Sequence, residues 1–103
     1  MIEEVILNLF LKDRELYEKY YKYINLEYIK DNFTNLYKLF VVLHQHYDSS
    51  KDRTVSQVDF ELVYNSSYLL ENSERQELTD TLTRIYGLEC TESNAIKYLN
   101  DHK

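Results

Sequence analysis

Apolar residues near the start of the chain recur at steps of three and four, the spacing that places side chains on one face of an α-helix. This pattern predicts a first helix over residues 2–11, whose apolar face contains Ile2, Val5, Ile6, Leu9 and Phe10. Asp13 is well placed to cap a second helix, which we expect to end near Ile24 or Asn25. The buried positions of this second helix are Leu16, Tyr17, Tyr20 and Ile24.

A longer and more apolar helix is predicted after the short segment 26–29. The pair Asp31 and Asn32 can cap it. Its inner face contains Phe33, Leu36, Tyr37, Phe40, Leu43 and Tyr47. Because it is the most apolar helix, we expect it at the centre of the fold. Residues 48–53 have no periodicity and several turn formers, so we predict an exposed loop there.

Two capping patterns mark the helices of the second half. Ser56 with Asp59 predicts a fourth helix that runs to about Tyr64. Ser73 with Gln76 predicts a fifth helix. Leu78, Leu82, Ile85 and Tyr86 form the apolar face of this fifth helix. Gly87 follows it, where a residue in the left-handed conformation would end the helix. A last helix, capped by Thr91, has Ala95, Ile96 and Leu99 on one side.

These segments together predict an all-α protein. We expect a single compact bundle of about five to six helices with a C-terminal helical hairpin. No segment alternates between apolar and polar residues in the manner of a β-strand. No proline-rich or glycine-rich linker divides the sequence, so residues 1–103 are expected to form one domain.

Composition restricts the classes of function. The 103 residues include 18 acidic and 12 basic side chains, for a net charge of −6, which opposes binding to nucleic acid phosphates. One glycine and no proline exclude a glycine-rich phosphate loop. Cys90 is the one cysteine, and the acidic start does not resemble a signal peptide. No apolar run is long enough to cross a bilayer. We therefore expect a cytoplasmic protein whose partners are other proteins.

Residues that could carry chemistry are few and poorly arranged. His44, His46 and Asp48 are of metal-ligating types, but residues two apart on a helix point in different directions. His44 is expected near the apolar face and His46 near solvent. Cys90 lies beside Glu89, whose charge opposes thiolate formation. Acidic residues in first helical turns are typical of capping. We predict no metal site, no cofactor and no enzymatic activity in this chain.

Tyrosine is the most unusual feature, with 11 copies in the sequence. Tyrosines interleaved with lysines could stack nucleobases, but the neighbouring acidic residues nearly neutralise those lysines. Core packing and protein contact are the favoured interpretation, because a tyrosine ring is apolar while its hydroxyl is polar. The residues predicted to contact partner proteins are Tyr17, Tyr20, Tyr21, Tyr23, Tyr68, Leu69, Leu70, Leu82 and Tyr86. For Tyr68, Leu69 and Leu70, a lid folded back over the core is an equally good alternative.

The order of these features resembles the N-terminal domain of DnaB-like replicative helicases, especially those of bacteriophages. The similarity covers roughly residues 2–86. It is carried by an acidic residue and apolar helix at residues 4–9, Asp13 with Tyr17, residues 27–31, the aliphatic and aromatic pattern of residues 36–43, and the helices after the polar loop. Asn8 stands where that family often has a glycine.

The resemblance implies a non-catalytic function. In such helicases this domain pairs with neighbouring copies to form a collar on the hexameric ring, and it binds primase or a helicase loader. Nucleotide hydrolysis belongs to a separate motor domain with a P-loop. The resemblance therefore implies self-association and a protein partner in DNA replication, without direct nucleic acid binding.

An alternative from a different class is a free-standing acidic helical adaptor or inhibitor. Such a protein would cover a basic surface on a host or replication protein. A DNA-binding helix-turn-helix is the least favoured interpretation, because neither helix of the second half is basic.

Overall fold

The computed structural model describes residues 2–89 together with 93, 96, 97 and 100. Within this part, the helices are α1 (Ile2–Lys12), α2 (Arg14–Tyr20), α3 (Leu26–Asn32), α4 (Thr34–Ser49), α5 (Gln57–Ser67) and α6 (Asn72–Tyr86). The short connection 68–71 joins α5 to α6, which pack side by side. The all-α bundle predicted from the sequence is thereby confirmed. For the last predicted helix, the cap at Thr91 and the residues Ala95 and Leu99 of its apolar side lie outside the described residues. None of the described helices combines the length and apolar character needed to span a bilayer.

Helix α1 lies at the centre of the bundle. It packs against α2, α4 and α6, and Ile6, Leu7, Phe10 and Leu11 have no exposed surface. Helix α4, which was predicted to be central, also packs against three helices, α1, α3 and α5, and buries a full apolar face. The predicted apolar face of α1 is shifted, because Leu7 and Leu11 lie in the core while Val5 and Leu9 are partly exposed. Because helices pack on several sides of α1, its buried surface is wider than the single apolar stripe of a surface helix.

Two polar side chains on the inner part of α1 connect it to α6. Asn8 is 2% exposed, and its Nδ2 donates a hydrogen bond to the Ile85 carbonyl at 2.8 Å. Glu4 is also buried and forms an ion pair with Arg84. Buried polar groups need partners of this kind, since an unpaired one costs free energy on folding. The two contacts therefore fix how α6 lies on α1.

The second predicted helix is shorter than expected. It ends at Tyr20, and Tyr21–Tyr23 forms a 3-10 turn. The segment predicted to be a connection is the helix α3, because the Asn25 side chain accepts a hydrogen bond from the Tyr28 backbone N–H at 3.0 Å and so caps it.

The start of the long helix also differs from its prediction. Asp31 and Asn32 lie in the last turn of α3 and do not cap α4. That helix begins at Thr34, after Phe33, which makes no side-chain capping bond. The Asp31–Asn32 pair therefore ends α3 and does not begin α4.

Helix starts marked by Asp13 and Ser56 agree with the sequence. The Asp13 carboxylate accepts hydrogen bonds from the Glu15 and Leu16 backbone N–H groups at 3.0 and 3.3 Å. The Ser56 hydroxyl accepts one from Asp59 at 3.2 Å, and α5 continues to Ser67, beyond the predicted end.

The start of α6 was predicted incorrectly, whereas its end before Gly87 was predicted at the right residue but with the wrong conformation. Its N-cap is Glu71, in a capping box with Glu74, and not Ser73. Gly87 follows the helix with a φ of −83°, which is right-handed, so the predicted left-handed ending is wrong. The Gly87 N–H still bonds the Thr83 carbonyl at 3.1 Å, as a continuing helix would.

Arg14 holds the loop between α4 and α5, which was predicted to be an exposed loop. Its guanidinium donates to the carbonyls of Tyr47 at 2.8 Å and Ser50 at 2.6 Å, and to that of Asp52 at 3.2 Å. The same guanidinium lies 5.2 Å from the centre of the Tyr47 ring. The Arg14 backbone N–H donates to the Arg53 carbonyl at 2.9 Å. The loop is therefore fixed to the start of α2.

We expect the substitution Arg14→Met to lower the free energy of unfolding by roughly 2–3 kcal/mol, because hydrogen bonds from a charged donor are lost together. Urea unfolding followed by circular dichroism measures this. Arg53→Met is the control, since Arg53 is largely exposed and its nearest carboxylate, on Glu15, is 3.9 Å away. It should change stability by less than about 0.5 kcal/mol. Equal losses in the two variants would contradict the role given to Arg14.

Candidate functional site

Two of the residues predicted to contact partners belong to the core. Tyr17 is 5% exposed, and its ring centre lies 4.6 Å from that of Tyr47 and 5.9 Å from that of Phe10. Leu82 has no exposed surface. Neither can supply an interface in the folded protein, so both predictions are corrected. The sequence could not separate them from surface residues because an inward-facing and an outward-facing tyrosine or leucine have the same local pattern.

Most of the other predicted interface residues are half-buried at the edge of the core. These are Tyr20, Tyr21, Tyr23, Tyr68, Leu70 and Tyr86. The Tyr86 hydroxyl donates to the Val55 carbonyl at 2.6 Å, so it stabilises the loop before α5. The Tyr68 ring lies 4.9 Å from that of Tyr64, as the lid interpretation requires. Leu69, between Tyr68 and Leu70, is 98% exposed and is not part of any lid.

An aromatic cluster between α2 and α4 contains a connected group of titratable side chains. The Tyr17 hydroxyl lies 2.5 Å from Nδ1 of His44, and Nε2 of His44 lies 3.3 Å from the Asp48 carboxylate. The Tyr21 ring stacks on the imidazole with a centre-to-centre distance of 4.8 Å. A hydroxyl, an imidazole and a carboxylate in sequence is the arrangement that activates a nucleophile in many enzymes.

The cluster does not activate Tyr17. Burial raises the pKa of the Tyr17 hydroxyl well above its ordinary value, and the nearby Tyr21 and Asp48 raise it further. A nucleophile or general base needs a lowered pKa and access to substrate, and Tyr17 has neither. The hydroxyl therefore stays protonated at neutral pH and joins α2 to α4 as a hydrogen-bond partner of His44.

The histidines of α4 contact different carboxylates. His46 Nε2 lies 3.1 Å from the Asp52 carboxylate, whereas His44 is paired with Asp48. His46 is the more buried of the two, with a side chain 13% exposed against 44% for His44, which reverses the prediction. The returning loop covers His46. Among the described residues, no three His, Cys, Asp or Glu side chains are placed to hold a metal ion together.

Exposed apolar side chains on α5 were not among the contact residues predicted from the sequence. Val58 and Leu62 are 66% and 65% exposed and lie one helical turn apart. We call this pair the outer α5 face. A signal for it exists, because Phe60 and Tyr64 occupy the opposite side of the same helix and are buried. A surface helix needs only one apolar face to pack on the core, so apolar residues on its other side are available for another contact.

A groove runs between α4 and α6. These two helices pack on α5 and α1 but not closely on each other, and two adjoining cavities of about 200 and 360 Å³ lie between them. Both cavities are lined by Asn35, Leu39 and Thr81. We call this feature the α4/α6 groove. At one end it reaches Leu69, and at the other the ion pair of Glu4 with Arg84.

The buried tyrosines predict a pH dependence of stability. Burial raises the pKa of Tyr21 and of Tyr47 from 10.0 to about 12, and it raises those of Tyr17, Tyr64 and Tyr86 as well. The stabilisation from keeping these phenols neutral is complete below pH 10 and is lost as the pH rises through their folded pKa values. In a pH titration, the ultraviolet absorbance of tyrosinate should therefore rise at a higher pH in the folded protein than in the urea-unfolded chain. Coincident titrations would contradict this account.

The described residues thus offer two exposed features with the character of contact surfaces, the outer α5 face and the α4/α6 groove. No match to the chain was found among protein family profiles, characterised proteins or solved structures. A functional assignment therefore depends on the residues and their geometry.

Proposed function

We propose that this chain is a non-catalytic protein-interaction and oligomerisation domain. The observation that carries the proposal is the outer α5 face, where Val58 and Leu62 expose about two-thirds of their surface. Burying such side chains in a contact is favourable by roughly 1.5–3 kcal/mol each. Among the described residues, one core cluster buries 19 apolar side chains without them. Their exposure is therefore best explained by a contact with another protein chain.

The resemblance to DnaB-like helicases gives this proposal its more specific form. In that form the domain belongs to a replicative helicase in a bacterial or phage-infected cytoplasm. It pairs with other copies of itself and binds primase or a helicase loader. The all-α fold and the helix order of residues 2–86 support it. Nucleotide hydrolysis would then be the work of a motor domain.

The net charge of −6 favours a second candidate, an acidic adaptor or inhibitor that covers a basic surface. The exposed side of α6 is consistent with this, because Glu74, Glu77 and Asp80 are all exposed there, as is the N-cap Glu71. The two candidates differ in one observable property. The collar domain associates with itself, whereas the adaptor stays monomeric until it meets its partner.

We expect the wild-type chain to form dimers or larger oligomers, and Leu62→Glu to weaken self-association at least tenfold. A glutamate at this position places a charge in an apolar contact, and in a symmetric dimer the change occurs on both subunits. Light scattering coupled to size-exclusion chromatography over a concentration series measures the dissociation constant.

Gln45→Glu is the matched control, because it adds the same charge at an exposed position of α4. It should leave the dissociation constant within about twofold of wild type. A wild-type chain that is monomeric at the highest concentration would favour the adaptor. Equal effects of the two substitutions would show that net charge, and not the outer α5 face, controls association.

A further inference from the structure

We propose that the α4/α6 groove binds a short amphipathic helix of a partner protein, with leucine-like residues facing the groove and lysine or arginine at its edge. The groove is separate from the outer α5 face, so this binding goes beyond self-association. Its support comes from the shape, the apolar lining and the charges of the groove.

The shape of the groove suits one face of a helix. Its α6 wall extends from Glu74 to Arg84, which at 1.5 Å per residue is a length of ~15 Å. Its other wall is the first part of α4, including Asn35 and Lys38. Two helical walls with a gap between them provide the setting in which a third helix packs, as in helix-in-groove recognition. About three turns of a bound helix would cover the groove from end to end.

Apolar side chains lie along the groove. Leu39 and Leu78 form its floor and expose only a small part of their surface. Leu69 stands at one end and is 98% exposed, and Phe33 lies at the other and is half-buried. Leu69 has no role in the core, so a bound apolar side chain would give it the burial that the isolated domain does not.

The charges at the edge of the groove select a basic ligand. Within the described part of the chain, Glu77 makes no hydrogen bond or ion pair, and it is exposed. The cations nearby are already engaged, since Arg84 pairs with Glu4 and the Lys38 ammonium lies 5.5 Å from the centre of the Tyr68 ring. The groove lining carries three carboxylates, those of Glu4, Glu74 and Glu77, against the two cations, and this excess of negative charge attracts lysine or arginine. A second copy docked here would bring its net charge of −6 against these acidic groups, whereas self-association through the outer α5 face involves the apolar side chains of Val58 and Leu62.

A designed peptide tests this proposal directly. The probe is a fluorescein-labelled helical peptide of about 15 residues, with leucine along one face and lysine elsewhere, long enough to populate a helix. Fluorescence anisotropy measures its binding to the full chain. A scrambled peptide of the same composition controls for simple charge attraction. We expect saturable binding of the designed peptide, at least tenfold tighter than that of the scrambled one.

Matched variants locate the site. Asn35→Trp fills the groove and should weaken binding at least tenfold, whereas Gln45→Trp changes another exposed position of α4 and should not. Glu77→Lys should weaken binding severalfold, while Glu27→Lys, on exposed α3, should have a much smaller effect. Circular dichroism confirms that each variant is folded. Leu62→Glu should bind the peptide normally, which separates this proposal from self-association.

Several outcomes would overturn the proposal. One is the absence of saturable binding, and another is equal binding of the designed and scrambled peptides. A third is equal weakening by a groove variant and its control. Loss of self-association in Asn35→Trp would place a second copy of the chain in the groove and would also overturn the proposal.

Discussion

The arrangement of the bundle depends on the hydrogen bonds that the Arg14 guanidinium donates to backbone carbonyls. It donates hydrogen bonds to carbonyls at the end of α4 and in the loop that follows, and its side chain is 17% exposed. The last carbonyls of a helix have no partner within the helix, and a cation beside them also interacts favourably with the helix dipole. One side chain thus closes α4, turns the chain back across the end of α1 and sets the start of α2. The path of the loop then allows Val55 to donate to the Leu11 carbonyl at 2.8 Å.

With the loop held in this way, the inner side chains of the bundle pack against one another and their polar atoms form hydrogen bonds. Tyr47 is buried, and its hydroxyl donates to the Phe10 carbonyl at 2.6 Å. Among the described residues, no buried side-chain nitrogen or oxygen is left without a hydrogen-bond partner. These buried polar groups are therefore committed to structure, with Tyr17 bonded to His44 as the clearest case. What the bundle leaves unused is apolar surface outside the core, on α5 and along the α4/α6 groove.

Local sequence signals predicted the starts of α2 and α5 correctly and the starts of α3, α4 and α6 incorrectly. Asp13 and Ser56 cap the helices they were expected to cap, because a side chain bonding two or three residues ahead needs only local geometry. The caps Asn25 and Glu71 were not predicted, because residues 26–29 were expected to be a connection and Ser73 was expected to cap α6. The burial of Tyr17 and Leu82 depends on which helices surround them, and so does the role of Arg14, whose acceptors are more than thirty positions away. Such contacts between distant segments have no signature in periodicity. The outer α5 face did have one, in the apolar residues on both sides of that helix.

The central claim is that this domain acts through contacts between protein surfaces and that the outer α5 face is one of them. Hydrogen–deuterium exchange, compared between dilute and concentrated protein, tests it most directly because it reports every helix at once. The account predicts that backbone protection increases with concentration in α5 and changes little in α2 and α3. Unchanged exchange throughout the chain, or protection that appears only in α2 and α3, would contradict it.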